Sequence, residues 1–156
     1  MIIENVEIYY ARLNPKRPNA KYNKENPTWE IQIRTTNKEV KKDWEAKHLS
    51  VKAMVPDDGE PYYRVNLRKR SVKKDGTAAK TPVVIDGKGN EIDGRTVGNG
   101  SIGNVRLFQY EYPSGTGRME VATVLDSIQL TKHVVYEWKG DPNNEFSTDL
   151  ETEVVR

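Results

Sequence analysis

The residues best equipped for chemistry fall in one run, Tyr62-Tyr63-Arg64-Val65-Asn66-Leu67-Arg68-Lys69-Arg70. Read as a strand, with side chains alternating between two faces, it puts Tyr62, Arg64, Asn66, Arg68 and Arg70 on one side and Tyr63, Val65 and Leu67 on the other. The second face can enter a core. The first carries three guanidiniums and a phenol: a fork of donors that fits a phosphate, beside a ring on which a base can lie. That is the chemistry of a groove for single-stranded nucleic acid. A solvated face of an antiparallel strand has the same composition, so the surrounding elements must decide between the two.

Further along, Arg106, Phe108, Tyr110 and Tyr112 share a face opposite Val105 and Leu107. Three aromatics behind an arginine suit base stacking and suit a barrel core equally well as residue types. Phe108 is assigned to the core; Tyr110 and Tyr112 stay open between the two, and with Arg106 they are carried as candidate DNA contacts. Loop cations complete the set: Lys16 and Arg17 in the stretch from Asn14 to Pro27, and Lys73 and Lys74 in the stretch from Ser71 to Thr81.

Catalysis has little to stand on. Asp86, Glu91, Asp93 and Asp126 are of the type that holds Mg²⁺ beside a scissile phosphate, but the first three sit among Asp-Gly and Gly-Asn turn signals, where Asp serves local hydrogen bonding. His48 and His133 are isolated, no Ser has a recognisable nucleophile context, and no zinc spacing is present. Gly98-Asn99-Gly100-Ser101-Ile102-Gly103-Asn104 lacks the Lys-Ser/Thr ending of a phosphate loop and precedes no helical pattern, so its glycines are expected to bend a strand. No cofactor or metal is expected, and the chain reads as a binding protein and not an enzyme.

Several elements must position these residues. Ile2 to Leu13 alternates with Val6, Ile8 and Tyr10 on the side expected inward. Trp29, Ile31 and Ile33 alternate with Glu30, Gln32 and Arg34. Thr36 to Glu39 matches a capping box, and Val40 and Trp44 follow at helical spacing, predicting a helix from about Lys38 to Lys47. Leu49, Val51, Ala53 and Val55 restart the two-residue period, and Pro56-Asp57-Asp58-Gly59 turns the chain into the Tyr62 strand as a hairpin. A short strand is expected at Pro82 to Ile85 and a tight turn at Asp86 to Asn90. A long glycine-interrupted strand should run from Val97 to Tyr112, and another from Arg118 to about Glu137. Many strands, one helix and kinked long strands predict a mainly β protein built as a small OB-like Greek-key barrel.

The 156 residues suit one domain, and 35% hydrophobic against 31% charged residues leaves much of the chain for water or a charged partner. The absence of Cys excludes disulfides and thiolate metal sites. No stretch resembles a signal peptide or a membrane span, so the expected location is the cytoplasm. Charge is uneven. Positions 141–156 hold five acidic residues against Arg156, net −4, which leaves 24 basic against 18 acidic residues elsewhere, net +6. A barrel over 1–140 with a flexible acidic tail over 141–156 follows, the tail able to compete with polyanions or recruit basic partners.

The order Pro82-Val83-Val84-Ile85-Asp86-Gly87, then Val97-Gly98-Asn99-Gly100-Ser101, then Leu125-Asp126-Ser127-Ile128-Gln129-Leu130 resembles the single-stranded DNA-binding proteins of short-tailed bacteriophages over most of residues 1 to 140. The resemblance implies an OB-like barrel with an inserted helix and sequence-tolerant binding of single strands. It implies a role in phage DNA replication, recombination and repair in the host cytoplasm. It also implies a tail that contacts replication proteins such as a polymerase or a helicase/primase; a homodimer stays open. By position the basic aromatic strand is Tyr62 through Arg70 and the tail Asp141 through Arg156. Members with a well-developed tail end in dense acids and an aromatic residue, whereas here the acids are dispersed, Phe146 lies well inside, and the last residues are Val154-Val155-Arg156. The alternatives are a structural β-barrel component of a virion or tail and, third, a metal-dependent nuclease.

Overall fold

Each alternating run pairs with its neighbours to make one sheet. The computed structural model describes residues 1–16, 18 and 27–136; Arg17 and the segment 141–156 lie outside them. In chain order the elements are β1 (Ile2–Arg12), β2 (Thr28–Thr35), α1 (Lys38–Ala46), β3 (Lys52–Met54), β4 (Tyr62–Arg70), β5 (Val83–Ile85), a one-turn 3₁₀ helix (Gly94–Thr96), β6 (Ser101–Pro113) and β7 (Met119–Lys132). The strand order is β3-β4-β2-β1-β6-β7-β5, antiparallel throughout except that β5 runs parallel to β7. β4 also lies against β7, four places along that order, so β4, β2, β1, β6 and β7 curl into an OB-like barrel. Its interior holds Ile3, Val6, Ile8, Ile31, Ile33, Val65, Leu67, Val105, Leu107, Leu125, Ile128 and Leu130.

The curl owes much to β1, which bulges twice. Glu4 and Asn5 together face the single residue Asn104 of β6, and Tyr10 and Ala11 together face Ile31 of β2. Asn5 (φ 53°) and Tyr10 (φ 51°) adopt left-handed backbone, and each freed N–H donates to an asparagine carbonyl: Asn5 N to Asn104 Oδ1 at 2.9 Å, Tyr10 N to Asn99 Oδ1 at 2.7 Å. The bulge turns Tyr10 out of the barrel, so it is exposed and not a core partner of Val6 and Ile8 as strict alternation predicts.

Other departures have equally local causes. The helix starts at Lys38 as expected, but its cap is Asn37 and not Thr36: Asn37 Oδ1 accepts from the N–H of Glu39 and of Val40 while Asn37 N donates to Thr35 Oγ1. Trp44 is its one buried residue and α1 packs on β2, as the helical spacing predicts. β3 keeps only three residues of the Leu49 run, and Val55 is exposed beyond it. Gly98 and Gly100 precede β6; Gly103 lies within it at an irregularity, where a Cβ would stand 2.3 Å from the Gln129 carbonyl oxygen. β7 ends at Lys132, short of Glu137.

Candidate nucleic-acid interface

The outer face of β4 becomes a surface only through its neighbours. Pairing sets Lys52, Arg64, Arg34 and Glu7 in one row across β3, β4, β2 and β1; Asn66, Gln32 and Tyr9 in the next; and Arg68, Glu30 and Arg12 in a third. Val65 and Leu67 are buried behind them, so the alternation read from β4 holds. Arg34 is the centre of this face. Its guanidinium carbon lies 3.9 Å from the ring centre of Tyr9 and 4.2 Å from that of Tyr62, with Tyr10 at 5.2 Å. Each such contact stabilises by about 0.5–2 kcal/mol depending on desolvation.

Hydrogen bonds hold the stack in place. Arg34 Nε donates to Gln32 Oε1 at 2.7 Å, and Gln32 Nε2 donates to Asn66 Oδ1 at 3.1 Å. The two terminal nitrogens of Arg34 have no hydrogen-bond partner among the described residues, and Arg64 and Arg70 have neither hydrogen bond nor ion pair from their side chains among them. Arg68 differs, because its Nε faces Glu30 Oε2 at 3.4 Å. The surface therefore offers rings fixed around one guanidinium, with the uncompensated cations Arg64 and Lys52 on its β4 side and Glu7 on its β1 side. An oxyanion can take those donors, and a planar base can lie on the rings.

The candidate residues separate into three places. Tyr62, Arg64, Asn66, Arg68 and Arg70 lie together on the β4 face. Lys16 and the pair Lys73 and Lys74 are exposed in loops: Lys16 beside a cavity that Asp93 and Arg95 also line, Lys73 and Lys74 in the turn bridged by Val72 and Ala78. Arg106, Tyr110 and Tyr112 lie on β6, which meets the β4 side of the barrel through β7; Arg106 lines a cavity with Lys69 of β4, and Tyr110 and Tyr112 stand further along the strand. Phe108 is not core: it is 60% exposed, with Tyr110 at 48% and Tyr112 at 37%, because it shares the outward face of β6 with Arg106, opposite the buried Val105 and Leu107; past the last β1 partner, β6 and β7 continue as a two-stranded arm.

Tyr9, Tyr10, Arg34, Gln32 and Lys52 were absent from the candidates. Arg34 and Gln32 are legible as the polar side of β2, but their meeting with Tyr9 on one face depends on register across strands.

The four acids considered for a metal do not gather. Asp86 Oδ1 accepts from the N–H of Lys88 and of Asn90, and Asp93 takes Arg95 through several hydrogen bonds; both carboxyls are held below the ordinary range, Asp86 chiefly by the Asn90 N–H and Asp93 chiefly by the Arg95 side chain. Asp126 accepts from Ser127 Oγ, and Glu91 is exposed. No group of three metal-ligating side chains comes together among the described residues.

A five-stranded curled barrel with a helix inserted after its second strand and a basic aromatic outer face defines the class: an OB-like fold. Solved structures similar to this chain are those of bacteriophage single-stranded DNA-binding proteins. One is the protein from bacteriophage Enc34 in complex with ssDNA, with a TM-score of 0.58 and 15% identity over 89% of this chain and 88% of that one. Another is gp2.5, a single-stranded DNA-binding protein encoded by bacteriophage T7, with a TM-score of 0.55 and 17% identity over 88% of this chain and 94% of that one. No family model matches the sequence, and no curated protein matches it.

Proposed function

We propose that this chain binds single-stranded DNA with little regard to base sequence, in phage replication, recombination or repair. The observation that carries the reading is the Arg34 guanidinium held between Tyr9 and Tyr62 on a face otherwise rich in unpaired cations. Arg64, Arg68, Arg70 and Lys52 meet phosphates and release counterions, while Tyr62, Tyr9 and Tyr10 take bases that a duplex would keep stacked. The polar amides of Gln32 and Asn66 fix the frame. No bond is made or broken: holding only the unpaired form draws the melting equilibrium towards it, as any ligand stabilises the state it prefers. The shared fold with two phage single-stranded DNA-binding proteins supports the same reading.

The acidic segment 141–156, net −4, is the part suited to basic surfaces on replication proteins or to this chain's own cations. Action in the host cytoplasm is part of the same proposal.

Titration of a labelled oligothymidylate by fluorescence anisotropy across salt tests the binding. With about three to five phosphates engaged, log affinity should fall against log salt with a slope of about −2 to −3.5. A slope near zero, or no binding, would remove the electrostatic face; cleavage in Mg²⁺ would restore the nuclease, and inert behaviour the virion component.

A further inference from the structure

We infer that the outer face of β6 and β7 is a second track for single-stranded DNA, distinct from the Arg34 face; this rests on the function proposed above. Two observations meet there. The first is a cavity of about 550 Å³ at the foot of the arm, lined by Lys69, Lys80 and Arg106 with Ile2, Val83 and Asp126. None of these three cations has an ion pair or side-chain hydrogen bond among the described residues, whereas Asp126, the one carboxylate, already accepts from Ser127 Oγ. Ile2 and Val83 are half exposed and give the cavity apolar walls. Cations beside aliphatic surface suit a phosphate with its sugar and base.

The second observation is the ladder that starts at that cavity. Arg106, Phe108, Tyr110 and Tyr112 follow one another on the same face of β6, and the three rings have centroids 6.1 and 6.3 Å apart with planes inclined by 34° and 55°. The spacing is close to that of alternate residues in a strand, so each ring stands over its own position without covering its neighbour. Across from them on β7, Val124 and Ala122 are too small to cover Phe108 and Tyr110. Tyr112 is oriented by donating to Glu120 Oε2 at 3.0 Å. Three rings open to water, with unpaired cations at their foot, fit bases following a phosphate-anchored strand. β4 links the two tracks, since Arg68 and Arg70 face the first while Lys69 lines the cavity of the second.

Anisotropy titrations with oligothymidylates of about 8 and about 24 nucleotides, lengths that bracket one OB-fold site, separate the tracks. The full chain is compared with Phe108→Ser/Tyr110→Ser, Lys69→Ala/Lys80→Ala and Arg34→Ala, each checked to be folded at the assay temperature. The ladder and lysine variants should bind the short strand like the parent but lose about tenfold on the long one, and the lysine variant should flatten the long-strand salt slope by about 1.4. Arg34→Ala should weaken both. Unchanged long-strand binding in the ladder and lysine variants overturns the second track alone. So does a ladder variant that shifts a monomer–dimer equilibrium in sedimentation while leaving DNA binding intact, since the face would then join copies of the chain. A parent that binds neither strand removes the proposed function and this inference together.

Discussion

Arg34 and Phe108 stand on the same curled sheet in opposite circumstances. Around Arg34 the tyrosines close on a cation, and an amide chain through Gln32 to Asn66 fixes it from below. Around Phe108 the rings are open and the strand has a partner on one side only. The central strands β2 and β1 are flanked on both sides, and that neighbourhood lets three strands contribute to one cluster. The arm can align only what β6 itself carries. The first region is therefore preorganised, with little ordering left to do on binding, while the second must recruit its order from the strand it meets.

The largest effect should come from the wall the regions share. Leu67→Ala empties a buried position behind the Arg34 face and should cost about 2–5 kcal/mol of stability, read as a fall in chemical-denaturation free energy, with DNA binding lost only as the protein unfolds. Next is Arg34→Ala, expected to weaken short-strand binding by about tenfold in protein that is still folded at the assay temperature. Arg34→Lys should fail to restore it, since a lysine has no planar group to lie between two rings. Full rescue by lysine would reduce the cluster to simple charge.

Smaller again is the contrast between Arg64 and Arg68. Arg64→Ala should weaken binding and flatten the salt slope by about 0.7, one phosphate's share on a single strand. Arg68→Ala should do less, because Glu30 already faces that guanidinium, and Glu30→Gln should tighten binding severalfold at low salt. Equal losses at both arginines would mean that the Glu30 contact has no influence on the bound state.

The smallest expected effect is a control outside both regions. Asp93 has a lowered carboxyl value in the fold, so its contribution is complete above the ordinary carboxylate range and is lost as pH falls through the lowered value. Asp93→Asn should therefore flatten the acid limb of stability with single-strand affinity at neutral pH unchanged. A loss of affinity would tie the 3₁₀ turn to the binding face.

How much of this was legible beforehand depends on range. β4 was readable to the residue, because Tyr62 to Arg70 alternates without a bulge and Val65 and Leu67 mark the inward phase. The helix was readable through Val40 and Trp44, and its cap missed by one because Asn37 competes with Thr36 for the same N–H groups. Phe108 was misplaced for a different reason: Val105 and Leu107 mark the inward phase of β6, so alternation itself puts Phe108 outside with Arg106, and the usual preference of a phenylalanine for the core points the other way. The Arg34 cluster escaped because Tyr9, Arg34 and Tyr62 belong to three segments, each unremarkable alone, joined by register.

The paired bulges of β1 also bear on how this chain tolerates changes in length. Each bulge is an extra residue relative to one neighbour only, the Asn5 bulge to β6 and the Tyr10 bulge to β2. Deleting Asn5 would restore regular pairing on one side and leave the Glu7–Arg12 register with β2 as it is; deleting Tyr10 would do the converse. Losing Ile8, between them, would remove a fully buried core residue that pairs with Ile33 on one side and Ser101 on the other. The barrel wall thus has two places where a single codon can be lost without shifting the pairing of the rest of the strand, on either side of a stretch that carries the core.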